Sequence, residues 1–182
     1  MHLEPLRADD RSRVTDILVA TGAFAGEEIA VALELFDTVD HDAQATSARG
    51  QNFASSSGVA PDYEFVGARD DDGTLLGYAC CGPTPSADGT YDLYWLAVDP
   101  AAQGRGVGRR LVAFLEQQLT ARGARMLVAE TSSRADYVRT REFYQRAGFA
   151  EAARVRDFYA PADDRIIYTT RLAAREVGAA TP

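Results

Sequence analysis

Apolar residues along the chain switch repeatedly between the spacing of strands and the spacing of helices. Residues 63–69 and 75–81 form two apolar runs around Asp72-Gly73, a step that favours the tight turn of an antiparallel hairpin. From Val107 to Leu119 an apolar residue recurs every fourth position, as on one face of a helix. The whole pattern predicts strands at 2–8, 63–69, 75–81, 90–98, 125–130, 150–156 and 165–172, and helices at 11–20, after Gly26, from 107 to Gly123 and at 135–147.

Strands and helices alternate in this prediction, which is typical of an α/β or α+β domain whose helices cover a sheet. A chain of 182 residues that is 46% hydrophobic can bury one sizeable core. We therefore expect a single domain over residues 1–172 and a frayed tail over 173–182. Residues 41–62 are rich in Ala, Ser, Gly and Gln, which predicts a mobile loop, either a lid or a plain surface insertion.

The composition argues against several classes of protein. No apolar run reaches the roughly 18 residues that cross a bilayer, and the N-terminus lacks a secretion signal, so we expect a soluble cytoplasmic protein with no membrane partner.

Cys80 and Cys81 are adjacent in an apolar run, which indicates buried thiols on opposite faces of a strand. The only histidines, His2 and His41, are too far apart to indicate a metal centre or a Ser-His-Asp triad. We expect no metal.

Charge is distributed unevenly along the chain. The net charge is −8, with 27 acidic residues against 19 basic ones, all of them Arg, so we expect no nucleic-acid partner. Residues 1–50 contain ten acids and four bases, whereas residues 100–125 contain five Arg and one Glu. The first region would attract cations and the second a polyanion.

Residues 96–110 place a Gly-rich turn between the end of a strand and the start of a helix. The three glycines within 104–108 let the backbone approach a ligand with no Cβ in the way. N–H groups at a helix start have no intrahelical partner and lie at the positive end of the helix dipole, so they bind anions. Arg109 and Arg110 oppose the dipole of that first turn, which makes sense if a phosphate binds there. The segment predicts a diphosphate-binding loop.

Other phosphate-binding loops fit this segment less well. It lacks the Lys-Ser/Thr ending of a P-loop, and Arg109 stands where a dinucleotide fingerprint needs its third glycine. A purely structural turn is the remaining alternative. Three spaced glycines with three arginines exceed what such a turn requires.

The segment resembles the GNAT superfamily of N-acetyltransferases, whose pyrophosphate loop reads Gln/Arg-x-x-Gly-x-Gly/Ala. Gln103, Gly106 and Gly108 match that pattern, and Tyr144, ahead of Gly148-Phe149, matches the family's second signature on the next helix. The resemblance implies a GNAT fold, with a central mixed, mostly antiparallel sheet flanked by helices. It also implies an acyltransferase that moves an acetyl group from acetyl-CoA to a primary amine by direct transfer in a ternary complex.

The same resemblance implies which residues bind the cofactor. In the family, the strand before the loop splays from its neighbour, and its free N–H groups bind the thioester carbonyl and the pantetheine amides. Leu96 and Val98 match those positions, while Tyr137 and Thr140 depart from the Asn and Ala of many relatives. The implied cofactor-binding residues are Leu96, Ala97, Val98, Gln103, Gly104, Arg105, Gly106, Val107, Gly108, Arg109, Tyr137 and Thr140.

Two residues match the family's catalytic positions. Tyr144 corresponds to the general acid that protonates the departing thiolate. A phenol has a pKa of about 10 and a thiol about 8.5, so the transfer is feasible if the sulfur lies within hydrogen-bond reach. Asp92 stands where some members carry the base for the amine. Strict alternation puts Asp92 on the same face as Leu96 and Val98. Since Asp92 lies upstream on that face, we expect it to take the proton from the amine through water. The alternatives are a packing role for Tyr144 and a solvated or structural role for Asp92.

Four further residues are predicted to contact the acceptor: Glu27, Glu28, Tyr94 and Glu130. Glu27 and Glu28 open the helix that borders the acceptor site in the family, although the helix dipole alone also accounts for them. Glu130 is the alternative base or an anchor for the amine, and it is equally well explained as a cap of the following helix. We expect a small-molecule or peptide amine as partner, a cationic one if the acidic region steers it, and a monomer or homodimer. The alternative function is a catalytically idle acyl-CoA-binding sensor or scaffold.

Overall fold

Seven strands form one sheet in the part of the chain that this computed structural model describes, residues 1–39 and 63–172. In chain order they are β1 (His2–Pro5), β2 (Glu64–Arg69), β3 (Leu75–Pro83), β4 (Thr90–Val98), β5 (Met126–Ser132), β6 (Ala150–Ala160) and β7 (Asp163–Arg171). Their order across the sheet is β1-β2-β3-β4-β5-β7-β6. Neighbouring strands are antiparallel except β4 and β5, which are parallel. The predicted mixed, mostly antiparallel sheet is confirmed.

Within the same residues, four α-helices flank the sheet: α1 (Arg11–Thr21), α2 (Gly26–Asp37), α3 (Val107–Ala121) and α4 (Val138–Arg146). The helix predicted at 135–147 begins as a 3-10 turn at Ala135–Tyr137. The strand predicted at 150–156 continues to Ala160. The predicted loop at 41–62 and the tail at 173–182 lie outside the described residues. No helix in the described ranges combines the length and apolarity needed to cross a membrane.

The sheet separates two apolar clusters. Helices α1 and α2 pack on one face, where Phe36 is fully buried, and α3 packs on the other face through Leu111 and its neighbours. Cys80 belongs to the first cluster and Cys81 to the second, which confirms the prediction for adjacent strand residues. Burial raises the pKa of both thiols. We call these two sides of the sheet the α1–α2 face and the α3–α4 face.

A β-bulge at Tyr94 interrupts the regular pairing of β4. The consecutive β3 residues Cys80 and Cys81 pair with Trp95 and Leu93, so Tyr94 is the extra residue on β4. A bulge bends its strand and shifts the alternation of side chains by one position.

The bulge overturns one prediction from the sequence. Leu93, before the bulge, and Leu96 and Val98, after it, all pack on the α3–α4 face. Asp92 therefore points to the α1–α2 face, because it neighbours Leu93 on the strand. The prediction that Asp92 shares a face with Leu96 and Val98 is wrong, and the reason is the residue inserted at Tyr94.

Candidate active site

A cleft passes through the sheet where β4 and β5 separate. The two strands pair from Thr90 and Met126 to Leu93 and Ala129, and their pairing ends there. Beyond that point lies a cleft of about 1300 Å³. The Gly-rich loop and α4 line it on the α3–α4 face, and the connection between α1 and α2 lines it on the other face. Two molecules that enter from opposite faces would meet in the gap.

The opened edge of β4 presents backbone N–H groups to this cleft. The Asp99 N–H donates to the Leu76 carbonyl on β3 at 2.9 Å. Since successive residues of a strand point their N–H groups to opposite edges, those of Val98 and Leu96 point away from β3 and into the gap. The side-chain amide of Gln103 donates to the Val98 carbonyl at 3.3 Å and lies along the same edge. A carbonyl bound in the cleft would find donors there.

The Gly-rich loop leaves the start of α3 open. Gly104 and Gly106 adopt left-handed conformations, with φ of +75° and +79°, which favour glycine. Gly106 is the N-cap of α3, and its carbonyl accepts the Arg110 N–H at 3.1 Å. The first three N–H groups of the helix precede this bond and have no acceptor within the helix. With the positive end of the dipole, they form an anion-binding site.

Gly108 lets α4 come close to the start of α3. A Cβ at this position would lie 3.2 Å from the Phe143 ring, tighter than an ordinary contact. Phe143 in turn meets the Tyr144 ring edge-on, with 5.6 Å between ring centroids. The packing of α4 on Gly108 therefore fixes Tyr144 relative to the loop.

Tyr144 is enclosed by other aromatic rings. The ring centroids of Phe149 and Tyr168 lie 5.4 and 5.6 Å from its own. The residue is 6% exposed and lines the cleft. Burial raises the pKa of the phenol above its usual value, so the phenol retains its proton. Since no hydrogen bond to another described residue occupies this phenol, it can donate into the cleft.

Asp92 approaches the cleft from the α1–α2 face. The Thr84 hydroxyl donates to its Oδ2 at 2.8 Å. Partial burial raises the pKa of Asp92, the hydrogen bond from Thr84 lowers it, and the nearby charge of Glu130 raises it, with a net increase. A raised carboxyl pKa makes a better proton acceptor than an ordinary surface Asp.

Glu130 forms an ion pair with Arg165 on β7. The guanidinium of Arg165 lies over the Phe158 ring, 4.8 Å from its centroid. The alternative in which Glu130 caps the following helix does not hold. That turn is fixed instead by Ser132, whose Oγ accepts the Arg134 N–H at 3.0 Å.

The geometry agrees with a comparison against known protein families. The family model described as the acetyltransferase (GNAT) family matches residues 31–149. This chain belongs to the GNAT family. The resemblance noted in the Gly-rich loop and around Tyr144 is thereby confirmed, and so is the GNAT fold.

Relatives of this GNAT chain include the N-alpha-acetyltransferase RimI of Mycobacterium tuberculosis, which is 38% identical over 104 residues, 56% of this chain and 61% of that protein. The chain spans less than two thirds of the length of the curated relatives that it matches. A solved structure described as a GNAT acetyltransferase from Desulfovibrio desulfuricans is 40% identical, with a TM-score of 0.79 and coverage of 94% of this chain and 99% of that one. An aminoglycoside 6′-N-acetyltransferase complexed with coenzyme A shares the fold at 16% identity, with a TM-score of 0.67 and coverage of 96% and 99%.

Most of the sequence-predicted site residues line the GNAT cleft, but Arg105 and Glu27 do not. Glu28 lines it, and its carboxylate also accepts the Ala25 N–H at 2.7 Å, which closes the start of α2. The other predicted residues along the cleft are Asp92, Tyr94, Leu96, Ala97, Val98, Gln103, Gly104, Gly106, Val107, Gly108, Arg109, Glu130, Tyr137, Thr140 and Tyr144. Their contacts with ligands stay predictions.

Tyr137 connects the two walls of the cleft. Its phenol donates to the Ala23 carbonyl, between α1 and α2, at 2.7 Å. This bond links the turn before α4 to the α1–α2 connection, so Tyr137 closes part of the cleft mouth. The departure from the family pattern at this position thus serves a contact within the chain.

Several cleft residues escaped the sequence analysis. Phe24 and Trp95 meet edge-on at 5.2 Å between centroids and form an aromatic wall on the α1–α2 face. Phe24 stands in the short connection between α1 and α2, and an aromatic residue in such a connection could have marked it as a candidate site residue. Arg165 and Thr131 gave no comparable signal, because only the strand pairing brings them to the cleft.

Proposed function

We propose that this GNAT protein transfers the acetyl group of acetyl-CoA directly to a primary amine in a ternary complex. The observation that supports it most is the cleft through the sheet. It joins an anion-binding helix start and the protonated phenol of Tyr144 on one face to the carboxylate of Asp92 on the other. Donor and acceptor enter from opposite faces and meet where β4 and β5 separate.

The residues on the α3–α4 face suit the donor. The open N–H groups at the start of α3 suit its diphosphate, and Arg109 lines the cleft beside them. The N–H groups of Leu96 and Val98 suit the thioester carbonyl and the pantetheine amides. Acetyl-CoA supplies an acyl group activated by its thioester. An N–H group that hydrogen-bonds to the thioester oxygen, where negative charge develops, lowers the barrier by about 3–4 kcal/mol in other acyl-transfer enzymes.

Protons move on both sides of the gap in this proposal. When the neutral amine attacks the thioester carbon and the C–S bond breaks, the phenol of Tyr144 gives its proton to the departing thiolate, and the proton released from the acetylated nitrogen restores the phenol. Asp92 takes a proton from the incoming ammonium through water, because an alkyl ammonium with a pKa of about 10 cannot attack until it is deprotonated. Glu130, already paired with Arg165, orients the acceptor.

Direct transfer is favoured over a route through an acetylated cysteine. Cys80 and Cys81 are both fully buried, and burial raises the pKa of their thiols. A thiol nucleophile needs a lowered pKa and access to the donor. Neither cysteine has these properties.

The relatives suggest two acceptor classes for testing. The name of the M. tuberculosis relative denotes α-amines, and the coenzyme A complex belongs to an enzyme that acetylates an aminoglycoside amine. The α1–α2 face offers Glu28 and Asp92 for an ammonium group and the rings of Phe24 and Trp95 for an apolar neighbour. Peptide α-amines and small cationic amines both match these groups.

A thiol-release assay on the full chain tests the proposal. Acetyl-CoA is supplied with a panel of peptides bearing free N-termini, aminoglycosides and polyamines, and the released CoA thiol is measured by its reaction with a disulfide dye. We expect release that requires both substrates and initial-velocity lines that intersect. CoA binding by calorimetry without thiol release from any amine would support the sensor or scaffold function. Absence of CoA binding would contradict both.

A further inference from the structure

Thr131 carries a buried hydroxyl that has no partner. The residue is 5% exposed, and its Oγ1 makes no hydrogen bond within the described residues. Such groups are rare in native proteins, because losing water without gaining a partner destabilises the fold. Thr131 also lines the cleft. Its hydroxyl is therefore a buried polar group without a partner in the wall of a space that a ligand would fill.

The position of Thr131 on β5 identifies the side of the cleft that it serves. Leu127 and Ala129, four and two residues earlier, belong to the cluster on the α3–α4 face, as does Ile166, its pairing partner on β7. Alternation along β5 therefore directs Thr131 to the α3–α4 face. Ala129 is the last residue paired with β4, so Thr131 stands just beyond the point of separation, across the gap from the opened edge of β4.

This face is the donor side of the proposed reaction. It carries the Gly-rich loop, the start of α3 and Tyr144, whereas Asp92 points to the opposite face. The stretch of cleft between the loop and Tyr144 would hold the pantetheine arm of the donor. Each amide of that arm offers one N–H and one carbonyl, and a hydroxyl can accept from the first or donate to the second.

We propose that the Thr131 hydroxyl binds a pantetheine amide of the acyl donor, from the wall opposite the N–H groups of Leu96 and Val98. This inference rests on the proposed function. It explains why a strand position with buried apolar neighbours holds Thr and not Val, which has the same shape and leaves no polar group unpaired. The hydroxyl serves the ligand, and the fold gains nothing from it.

Thr131→Val separates these two roles, because it keeps the branched shape and removes the hydroxyl. For a binding role we expect a melting temperature of the ligand-free protein equal to or above that of the wild type, since a buried unpaired group has been removed. We expect the affinity for CoA to fall about 3- to 10-fold, the worth of one hydrogen bond. Thr131→Ser, which retains the hydroxyl, should bind CoA within about twofold of the wild type.

A second ligand tests whether Thr131 contacts the pantetheine arm or the nucleotide part of CoA. 3′-Phospho-ADP is CoA without its pantetheine arm, and its affinity, measured by the same calorimetry, should be equal in the wild type and in Thr131→Val. The proposal is overturned if Thr131→Val melts at a lower temperature or fails to fold, binds CoA as the wild type does, or loses affinity equally for 3′-phospho-ADP. Any of these results leaves the proposed function standing, whereas a wild-type chain that does not bind CoA overturns both.

Discussion

Arg13 on α1 forms an ion pair with Asp99, the residue at which β4 ends and the approach to the Gly-rich loop begins. The Nε of Arg13 also donates to the Leu75 carbonyl on β3 at 3.1 Å. The second carboxylate oxygen of Asp99 accepts the Ala101 N–H at 2.8 Å and caps the short turn before the loop. A helix on the α1–α2 face thus fixes the strand end that leads into the Gly-rich loop on the other face.

Replacing Arg13 with Gln should therefore weaken both the fold and donor binding. We expect the free energy of unfolding to fall by about 1–3 kcal/mol, because hydrogen bonds to the charged Asp99 and to the Leu75 carbonyl are lost. The KM for acetyl-CoA should rise more than kcat falls. Urea unfolding and steady-state kinetics measure the two effects. Arg11→Gln is the control, since Arg11 pairs with Asp37 at the surface and its loss should change neither quantity noticeably. Equal effects of the two variants would contradict the role given to Arg13.

The anion-binding helix start is tested by Gly106→Asp. Gly106 adopts a φ of +79° at the N-cap of α3, and a carboxylate there would repel the donor diphosphate. We expect the affinity for CoA to fall at least about tenfold in calorimetry at low salt. Gly123 has the same φ of +79° at the other end of α3, so Gly123→Asp strains the backbone equally. Similar losses of CoA affinity in both variants would mean that strain, and not charge, is responsible.

The strand, Gly-rich turn and helix start of the loop could be predicted from the sequence because their signals are local. A turn that needs positive φ is marked by glycines, and the first turn of a helix follows immediately in sequence. Gly104 and Gly106 stand where the turn needs a positive φ, whereas the contact of Gly108 with Phe143 on α4 became visible only in the structure.

The rest of the site depends on pairing between distant strands, which no local pattern encodes. The bulge at Tyr94 gives β4 one residue more than the paired stretch of β3. This extra residue places Asp92 on the face opposite to the predicted one. Thr131 and Arg165 line the cleft only because β4 separates from β5 and because β5 pairs with β7. Alternation is a sound rule until one inserted residue reverses it.

Tyr144→Phe tests the proposed proton donor. The phenol makes no hydrogen bond to the described residues, so its removal should leave the fold and CoA affinity nearly unchanged. We expect turnover to fall by about 10²–10⁴-fold. Tyr168→Phe is a matched control, because its buried ring lies 5.6 Å from that of Tyr144. Turnover is measured by thiol release at saturating acetyl-CoA, and a Tyr144→Phe enzyme as fast as Tyr168→Phe would exclude the assigned role.

Thr84→Val should shift the pH dependence of the reaction. Burial raises the pKa of Asp92 and the hydrogen bond from Thr84 lowers it, so the variant should raise that pKa further. A base works when ionised, and the acid limb of kcat/KM for the amine should therefore move to higher pH. In Asp92→Asn this limb should disappear.

The same shift also predicts the sign of the stability change. Because the pKa of Asp92 is higher in the folded than in the unfolded protein, its favourable contribution to stability is present below the unfolded pKa and is lost as pH rises through the folded pKa. Thr84→Val should enlarge this loss. Unfolding free energies measured from acid to neutral pH, together with the kinetic profile, test both expectations, and an unmoved acid limb would contradict the base role of Asp92.

Glu28 and Glu27 provide a matched pair for testing how the acceptor is recognised. Both carboxylates stand in the first turn of α2, but Glu28 lines the cleft and Glu27 does not. Residues 1–39, which include α1 and α2, carry eight acidic and three basic side chains, and this negative charge would steer a cationic amine toward this side. Glu28→Gln removes the charge and keeps an oxygen that can accept the Ala25 N–H, so the start of α2 should persist.

We expect Glu28→Gln to lower kcat/KM for a cationic amine about 3- to 20-fold, with the effect shrinking as ionic strength rises, and to leave a neutral amine nearly unaffected. Glu27→Gln changes the same net charge in the same helix turn, so it should reproduce only the part of the effect that comes from long-range steering. The assay compares cationic, neutral and anionic amines at low and high salt. Equal effects of both variants would assign recognition to the overall field, because position relative to the cleft would then not matter. A preference for neutral or anionic amines without a salt effect would mean that these acids serve solubility alone.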